Sequence, residues 1–301
     1  MITGKQLQDN TIPWRKMKGG GFNENPWGRT LYVSATHQRA TDQANVGTNR
    51  DQPLATLARA CSQAQDGDLI IMRPGHTENV IAAQGIQVPS GIDGVTIRGV
   101  GTGSKMPKVQ FATSTGATFE ITGGSCRIEN VYFTCPSLAA IVKPVFVNAS
   151  GCQMYGCIFD DGGFPPTDFV MVGSSFFRME DCQFECATAG GQSGVRLELA
   201  TYADLRNNRM RGDFLKGCIY NVSNACIDVQ IVGNRLENLN AVDCCIDLKA
   251  TTTGWIADNR EKIATDAQTT WHNNCDAMQL DENYGVNDAG ETGVLIGTPS
   301  A

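Results

Sequence analysis

Apolar residues recur with a period near 25 along most of this chain. Seven segments align on one apolar position, and its successive copies lie 31, 26, 25, 26, 26 and 25 residues apart. The aligned residues are Ile97, Ile128, Met154, Met179, Leu205, Ile231 and Ile256. Five residues later most segments carry a second apolar residue, namely Phe133, Phe159, Phe184, Met210 or Leu236. Strict alternation along one strand does not place two inward side chains five residues apart. The pattern therefore predicts two short strands joined by a sharp bend.

The residue two positions after each aligned apolar residue supports this bend. It is Gly99, Asn130, Gly156, Asp181, Asn207, Gly233 or Asp258, and glycine, asparagine and aspartate enter positive φ at low cost. Another strand recurs once per repeat, at 118–121, 145–148, 169–172, 195–199, 218–222 and 245–248. Several strands and no helix in each repeat predict an all-β fold, a single-stranded parallel β-helix with coils of about 25 residues.

The residue after the bend forms a further column. Its members are Val131, Cys157, Cys182, Asn208, Asn234 and Asn259. Stacked asparagines can hydrogen-bond from coil to coil, so Cys157, Cys182, Asn208, Asn234 and Asn259 are predicted to form a structural ladder in which cysteine is the apolar variant. A Cys157–Cys182 disulfide is sterically conceivable, but nothing in the sequence demands it. The chain has three histidines, none in a zinc-ligand pairing, and we predict neither a metal nor a cofactor.

The region before the repeats is predicted to cap the solenoid. "LYV" reads as a strand, and a helix is expected from about Pro53, with Leu54, Leu57 and Cys61 on one face. We assign residues 31–92 to this strand, the capping helix and the first coil, and residues 93–275 to the β-helix coils. Residues 276–301, in which "MQLDENYGV" breaks the period, form a closing segment.

The cap also carries a resemblance. It has the pattern Pro-x-Ala-Thr-x-x-x-Ala, Gly-Asp-x-Ile and Pro-Gly-x-x-Glu-Asn-Val, made here by Pro53, Ala55, Thr56, Ala60, Gly67, Asp68, Ile70, Pro74, Gly75, Glu78, Asn79 and Val80. This pattern is similar to the opening of pectin-lyase-like right-handed parallel β-helix proteins. "PGHTENV" followed by "GVTIRGVGTGSKMPKVQF" looks especially like the β-helix proteins of tailed bacteriophages. The resemblance covers roughly residues 30–295 and implies the fold, including its right hand, but no particular activity.

Residues 1–30 differ from the repeats, since they carry a net charge of +3 while the rest of the chain carries −10. Their "ITGKQLQDNTI" resembles N-terminal segments of phage fibre and virion proteins. Aromatic and arginine side chains are typical interface anchors. We therefore interpret residues 1–30 as an extended docking arm whose partner-binding residues are Trp14, Arg15, Lys16, Lys18, Phe22, Trp27 and Arg29. The alternative is a disordered or self-packed tail.

Net charge and the distribution of apolar residues disfavour several classes of function. The net charge of −7 argues against nucleic-acid binding by the body of the protein. No apolar run approaches 18 residues, so no membrane span is expected. The first residues lack the apolar core of a secretory signal, which predicts synthesis in a bacterial host cytoplasm.

The acidic residues do not predict a catalytic site. Hydrolysis on this kind of fold needs two carboxylates at a defined separation. The candidates are Asp160, Asp161, Glu180, Asp181, Glu185 and Asp204, but Asp181 is a bend residue and Asp160 and Asp161 lie in a turn composition. We expect no cluster of three or more acids with basic partners across adjacent coils, and therefore no enzyme.

The resemblance implies a virion structural protein, and a homotrimer. We favour a capsid decoration or cement protein on the head surface, with the arm binding the major capsid protein. The alternative is a tail spike or fibre that binds or cleaves host surface polysaccharide, and it predicts an exposed aromatic and acidic groove along the solenoid. A free bacterial polysaccharide-active enzyme is a third hypothesis, which the absent secretory signal disfavours.

Overall fold

The chain folds as a parallel β-solenoid with almost no helix. The computed structural model describes residues 28–44, 46–138, 140–221, 224–241, 244–264, 272–286 and 292–295. Within them, parallel strands stack coil upon coil, which confirms the predicted fold class. Each strand in the middle of a stack therefore pairs with both neighbouring coils.

The strands form three stacks. The first contains β1 (Thr30–Val33), β2 (Leu69–Met72), β5 (Thr96–Gly99), β8 (Arg127–Glu129), β11 (Gln153–Tyr155), β14 (Arg178–Glu180), β16 (Asp204–Arg206), β18 (Val229–Val232), β21 (Gly254–Ala257) and β24 (Met278–Asp281). The second contains β3 (Thr77–Val80), β6 (Lys108–Phe111), β9 (Tyr132–Thr134), β12 (Ile158–Asp160), β15 (Gln183–Leu197), β17 (Arg209–Tyr220), β19 (Arg235–Asn238), β22 (Arg260–Ile263) and β25 (Asn283–Val286). The third contains β4 (Ile86–Val88), β7 (Phe119–Ile121), β10 (Val145–Val147), β13 (Asp168–Val172), β20 (Ile246–Asp247) and β23 (His272–Asn273), together with the second halves of β15 and β17.

The core follows from the two apolar columns of each coil. The aligned residues from Ile97 to Ile256 are buried in the first stack. In the second stack, the rings of Phe133 and Phe159 are stacked with centroids 5.1 Å apart, and those of Phe159 and Phe184 with centroids 4.4 Å apart. Stacked aromatic pairs stabilise by more than their buried area alone.

The predicted bend lies between the first and second stacks. Asn130, Gly156, Asp181, Asn207, Gly233 and Asp258 all have positive φ, as expected. Gly99 is not among the positive-φ residues, so that prediction is wrong. A Cβ at Gly99 would lie 2.0 Å from the Asn130 carbonyl oxygen, so close approach of the next coil is what requires glycine there.

The column after the bend is joined by hydrogen bonds. The backbone N–H of Cys182 donates to Asn208 Oδ1 at 3.0 Å, and that of Asn208 donates to Asn234 Oδ1 at 2.9 Å. Asn234 and Asn259 repeat this contact, and Asn259 donates to Asn283 Oδ1. Each asparagine Nδ2 also donates to a backbone carbonyl of the preceding coil. The ladder satisfies buried backbone groups that the bend removes from the sheets.

The capping helix is shorter than predicted. The helix α1 spans Leu57–Ser62, with Thr56 as its N-cap. The expected start near Pro53 is wrong because Leu54 pairs with β1 instead: its N–H donates to the Tyr32 carbonyl, and its carbonyl accepts from Ser34. The Glu78 carboxylate accepts the N–H groups of Leu57 and Ala58, so it satisfies free helix donors and lies favourably at the positive end of the helix dipole.

The period continues further than predicted. β24 pairs in parallel register with β21, Glu282 has positive φ, and Asn283 is buried in the ladder. The expectation that "MQLDENYGV" breaks the repeat is therefore wrong. The repeat was missed because its bend residue is a glutamate, which is not a usual positive-φ residue. The antiparallel pairing of β26 (Thr292–Leu295) with β25 follows this coil.

All twelve cysteines are buried and none forms a disulfide. Burial raises the pKa of the thiols of Cys61, Cys135, Cys186 and Cys275. A raised pKa keeps a thiol neutral and unreactive. Cysteine therefore acts here as a small core residue.

Replacing a ladder asparagine is expected to destabilise the fold. In Asn234→Ala, the N–H of Asn208 loses its acceptor inside the protein, which should lower the free energy of unfolding by about 3 kcal/mol. Urea denaturation followed by circular dichroism measures this. Gln183→Ala, at an exposed strand position, is the control and should change the free energy by less than about 0.5 kcal/mol. Equal effects of the two substitutions would contradict the role of the ladder.

Candidate functional site

The turn aspartates predicted to be structural have structural partners. Asp160 accepts hydrogen bonds from the Tyr132 hydroxyl and, at 2.8 Å, from the Gly162 N–H. Asp161 is buried and accepts from the N–H groups of Gly163 and Thr188 at 2.9 and 2.8 Å. Both carboxylates thus hold the turn after β12.

The other candidate acids lie on strands or bends. Glu180 pairs with Arg178 at 2.8 Å, Asp204 with Arg206 at 2.5 Å, and Glu185 lies 3.8 Å from Arg211, while Asp181 is a bend residue. Ion pairing between acids and bases of adjacent coils was not predicted from the sequence. Charged residues of adjacent coils stand directly opposite one another, because the register repeats, and they form ion-paired columns.

The docking arm lies outside the described residues, apart from Arg29. Trp14, Arg15, Lys16, Lys18, Phe22 and Trp27 are therefore not placed. The Arg29 guanidinium is bound within the cap, donating to Asp68 Oδ2 and to the Gln63 carbonyl, both at 2.8 Å. Arg29 is thus held in the cap by Asp68, and its partner-binding role stays a prediction.

A second bend precedes the strands β5, β8, β11, β14, β16 and β18 of the first stack, and sequence reasoning missed it. Two residues before the strand register lie Gly94, Ser125, Gly151, Phe176, Tyr202 and Asp228, all with positive φ. The N–H of one bend residue donates to a carbonyl at the corner of the next coil, as Tyr202 does to Ile227. The residue types in this column have little in common, so the bend is recognised only from the backbone dihedral angles.

Two of these bend residues are aromatic and exposed. Phe176 and Tyr202 are 57% and 49% exposed, and their rings stack with centroids 4.9 Å apart. We call this pair the aromatic corner. Positive φ is unfavourable for bulky residues, and a residue held there at the surface suggests a functional use of the strain. Glycine, which Gly94 and Gly151 supply at the same corner, would fit the backbone at lower cost.

A groove adjoins the aromatic corner, over the last coils of the first stack. It encloses about 500 Å³ and is lined by Tyr202, Asp228, Gln230, Thr253, Gly254, Trp255, Ala277 and Gln279. Trp255 is 44% exposed. We call this concavity the corner groove. It combines two exposed aromatic faces with amide, hydroxyl and carboxylate groups, which suits a ligand that is both apolar and hydroxylated.

A charged cluster on the third stack was also missed from the sequence. Asp168 is buried at the start of β13, accepts from Ser193 Oγ at 2.7 Å and lies 3.3 Å from Arg196 Nη1. Arg196 also pairs with Glu198. Burial raises the pKa of the Asp168 carboxyl, although Ser193 and Arg196 act in the opposite direction. The cluster joins β13 to β15 and leaves Asp168 with almost no contact with solvent.

The described residues contain neither a membrane-spanning helix nor a metal cluster. No helix in that part of the chain is long and apolar enough to cross a membrane. No group of three or more histidine, cysteine, aspartate or glutamate side chains converges there as a metal site.

Comparison with known proteins gives only distant structural likenesses. No family model and no curated protein matches the chain. A rhamnogalacturonan lyase is similar at 13% identity over 86% of this chain and 74% of that chain, with a TM-score of 0.45. A native GH136 lacto-N-biosidase from Eubacterium ramulus is similar at 11% identity over 94% and 70%, with a TM-score of 0.33. Likenesses this distant assign no activity to this chain.

The stability contributed by Asp168 should depend on pH. Because its pKa is raised in the folded state, the favourable contribution is complete below the ordinary value near ~4 and is lost as pH rises through the folded pKa. The unfolding free energy of wild type minus that of Asp168→Asn should therefore fall as the pH rises above about 4. Urea denaturation of both proteins at several pH values measures this. A difference that rises with pH would contradict it.

Proposed function

We propose that this protein binds polysaccharide, and that the corner groove is the site. The observation that carries the proposal is the aromatic corner, where Phe176 and Tyr202 are held exposed and stacked at positive φ. Two such rings contribute nothing to the core. Their place beside a polar groove gives them a role in binding.

The groove chemistry suits a sugar chain. The C–H face of a pyranose ring is apolar and packs on an aromatic face, as Tyr202 and Trp255 offer. Its hydroxyl groups need donors and acceptors, which Gln230, Thr253 and Gln279 supply. Backbone pairing holds the flanking strands rigid, so little ordering entropy is lost on binding.

Charge favours a neutral sugar at this site. Asp228 is a groove-lining carboxylate, and it would repel an acidic sugar while accepting hydrogen bonds from hydroxyl groups. No lysine or arginine is among the residues that line the groove.

Binding is favoured over cleavage. Hydrolysis by acid and base needs two carboxyl groups flanking the scissile bond. Asp228 is the one carboxylate among the lining residues described for this groove. The other candidate acids already have partners, as described above, apart from Asp181, which occupies a bend.

The proposal favours the second of the two virion hypotheses. A tail spike or fibre that binds surface polysaccharide predicts an exposed aromatic and acidic groove, and the corner groove has this character. Capsid decoration through the arm, the homotrimer and the virion location stay predictions, since they depend on residues and partners outside the described structure. Deleting residues 1–30 and measuring binding to the capsid shell tests the decoration hypothesis separately.

Removing either groove aromatic should weaken glycan binding without unfolding the protein. Trp255→Ala and Tyr202→Ala should each weaken affinity by about tenfold or more, because exposed aromatic anchors dominate binding energy. The ligand is first selected with the wild type on an array of neutral and acidic polysaccharides. Isothermal titration calorimetry then measures the affinities, and reducing-end release measures any cleavage.

Phe164→Ala is the matched control, because Phe164 is also exposed, at 40%, but lies in the turn after β12. Its affinity should stay within about twofold of wild type. An array without any bound glycan, or equal losses in the control, would overturn the proposed function. Release of reducing ends would overturn the non-catalytic part of the proposal.

A further inference from the structure

Two columns of side chains cover the outer face of the second stack where β15, β17, β19 and β22 lie side by side. Residues of one column face the same position in the next coil, about 4.8 Å away. The register joins Gln183, Arg209, Arg235, Arg260 and Tyr284 in one column. It joins Glu185, Arg211, Glu237 and Lys262 in the other.

The second of these columns alternates in charge. Arg211 lies 3.8 Å from Glu185 and 3.3 Å from Glu237, and Lys262 Nζ lies 3.4 Å from Glu237. Each charge therefore stands between opposite charges. This is the arrangement expected of a column that stabilises the sheet.

The first column does the opposite. Arg209, Arg235 and Arg260 are three positive charges in succession, and all three are exposed. Over the described residues no carboxylate forms an ion pair with any of them. We call these three residues the arginine column.

Such a column costs stability. Like charges directly opposite one another on neighbouring strands repel, and the adjacent column shows that the same coils accommodate alternating charges. A stabilising role for the three arginines is therefore not supported by their surroundings. An external anion would remove the repulsion, since guanidinium groups bind carboxylates, sulfates and phosphates through paired N–H donors.

The surface beside the column is concave. A groove of about 290 Å³ is lined by Arg235, Arg260, Lys262 and Tyr284, and also by the carboxylates Glu237 and Glu261. Both carboxylates are already paired, Glu237 with Arg211 and Lys262, and Glu261 with His272. Tyr284 is 53% exposed and continues the arginine column by one coil. A ligand in this groove would meet a cation at each coil and an aromatic face at the end.

We infer that the arginine column binds a linear acidic polysaccharide, with successive anionic groups on successive arginines. The ligand lies along the solenoid axis, since that is the direction in which the charges repeat. This site is separate from the corner groove, because it lies on the second stack and its residues do not line that groove. The inference does not depend on the proposed function.

A nucleic acid fits the column less well. Single-stranded nucleic acids are held by a positive groove together with several aromatic side chains on which successive bases stack. Here Tyr284 is the one aromatic residue among those lining the groove. The neighbouring column is neutralised by Glu185 and Glu237, so the positive strip is only one residue wide.

The test uses the full chain and immobilised polymers in biolayer interferometry. Alginate supplies carboxylates, dextran sulfate supplies sulfates, dextran is the neutral polymer, and oligo(dT) is the nucleic acid. Wild type should bind alginate or dextran sulfate with an affinity that falls as salt is added. The triple variant R209Q/R235Q/R260Q should lose that affinity by at least about tenfold.

The matched control is R39Q/R50Q/K216Q, which removes the same three charges at exposed positions elsewhere. It should bind within about twofold of wild type. Thermal unfolding should show that R209Q/R235Q/R260Q melts at the same or a higher temperature than wild type, since repulsion is relieved. This result separates lost binding from lost folding.

Three outcomes would overturn the inference. The first is that the wild-type protein binds neither acidic polysaccharide at low salt, which would show that the arginine column has no such ligand. Equal losses in the two triple variants would assign binding to net charge alone. Binding of oligo(dT) that is tighter than binding of both acidic polysaccharides, and is lost in R209Q/R235Q/R260Q, would assign the column to nucleic acid instead. Glycan binding in the corner groove is unaffected by any of these results.

Discussion

The hydrogen-bonded register between neighbouring coils is the constraint on which the rest of this protein depends. Because each strand pairs in parallel with the same strand of the next coil, a residue at one position faces its counterpart about 4.8 Å away. Every chemical property is thereby repeated as a column. Phenylalanine rings stack in the core, asparagines hydrogen-bond along the bend, and charges on the surface meet either opposite or like charges.

This constraint separates structural columns from candidate binding columns. Glu185, Arg211, Glu237 and Lys262 alternate in sign and compensate one another. The aromatic corner and the arginine column have no such compensation. The aromatic corner places bulky residues at positive φ, and the arginine column stacks three like charges. Both features cost stability in the isolated chain, and both lie on the surface beside a groove. An external ligand explains them better than the fold does.

The features that could be predicted from the sequence are those marked by a characteristic residue type at each repeat. The β-helix was predictable because apolar and positive-φ residues recur with a nearly constant period. The helix start at Pro53 was wrong because Leu54 is equally suited to an edge strand, and it pairs with Tyr32 and Ser34. The last coil was missed because glutamate occupies its bend. The aromatic corner could not be predicted, since glycine, serine, phenylalanine, tyrosine and aspartate share only a backbone conformation there. The arginine column did leave a signal, because Arg209, Arg235 and Arg260 each follow a ladder asparagine.

The most direct test of the central claim is a crystal structure of the protein with the neutral oligosaccharide that it binds most tightly in solution. We expect sugar density in the corner groove, with one ring packed on Tyr202 or Trp255 and hydroxyl groups within hydrogen-bond distance of Asp228 or Gln230. Sugar density at another surface, with the corner groove empty at saturating ligand, would contradict it.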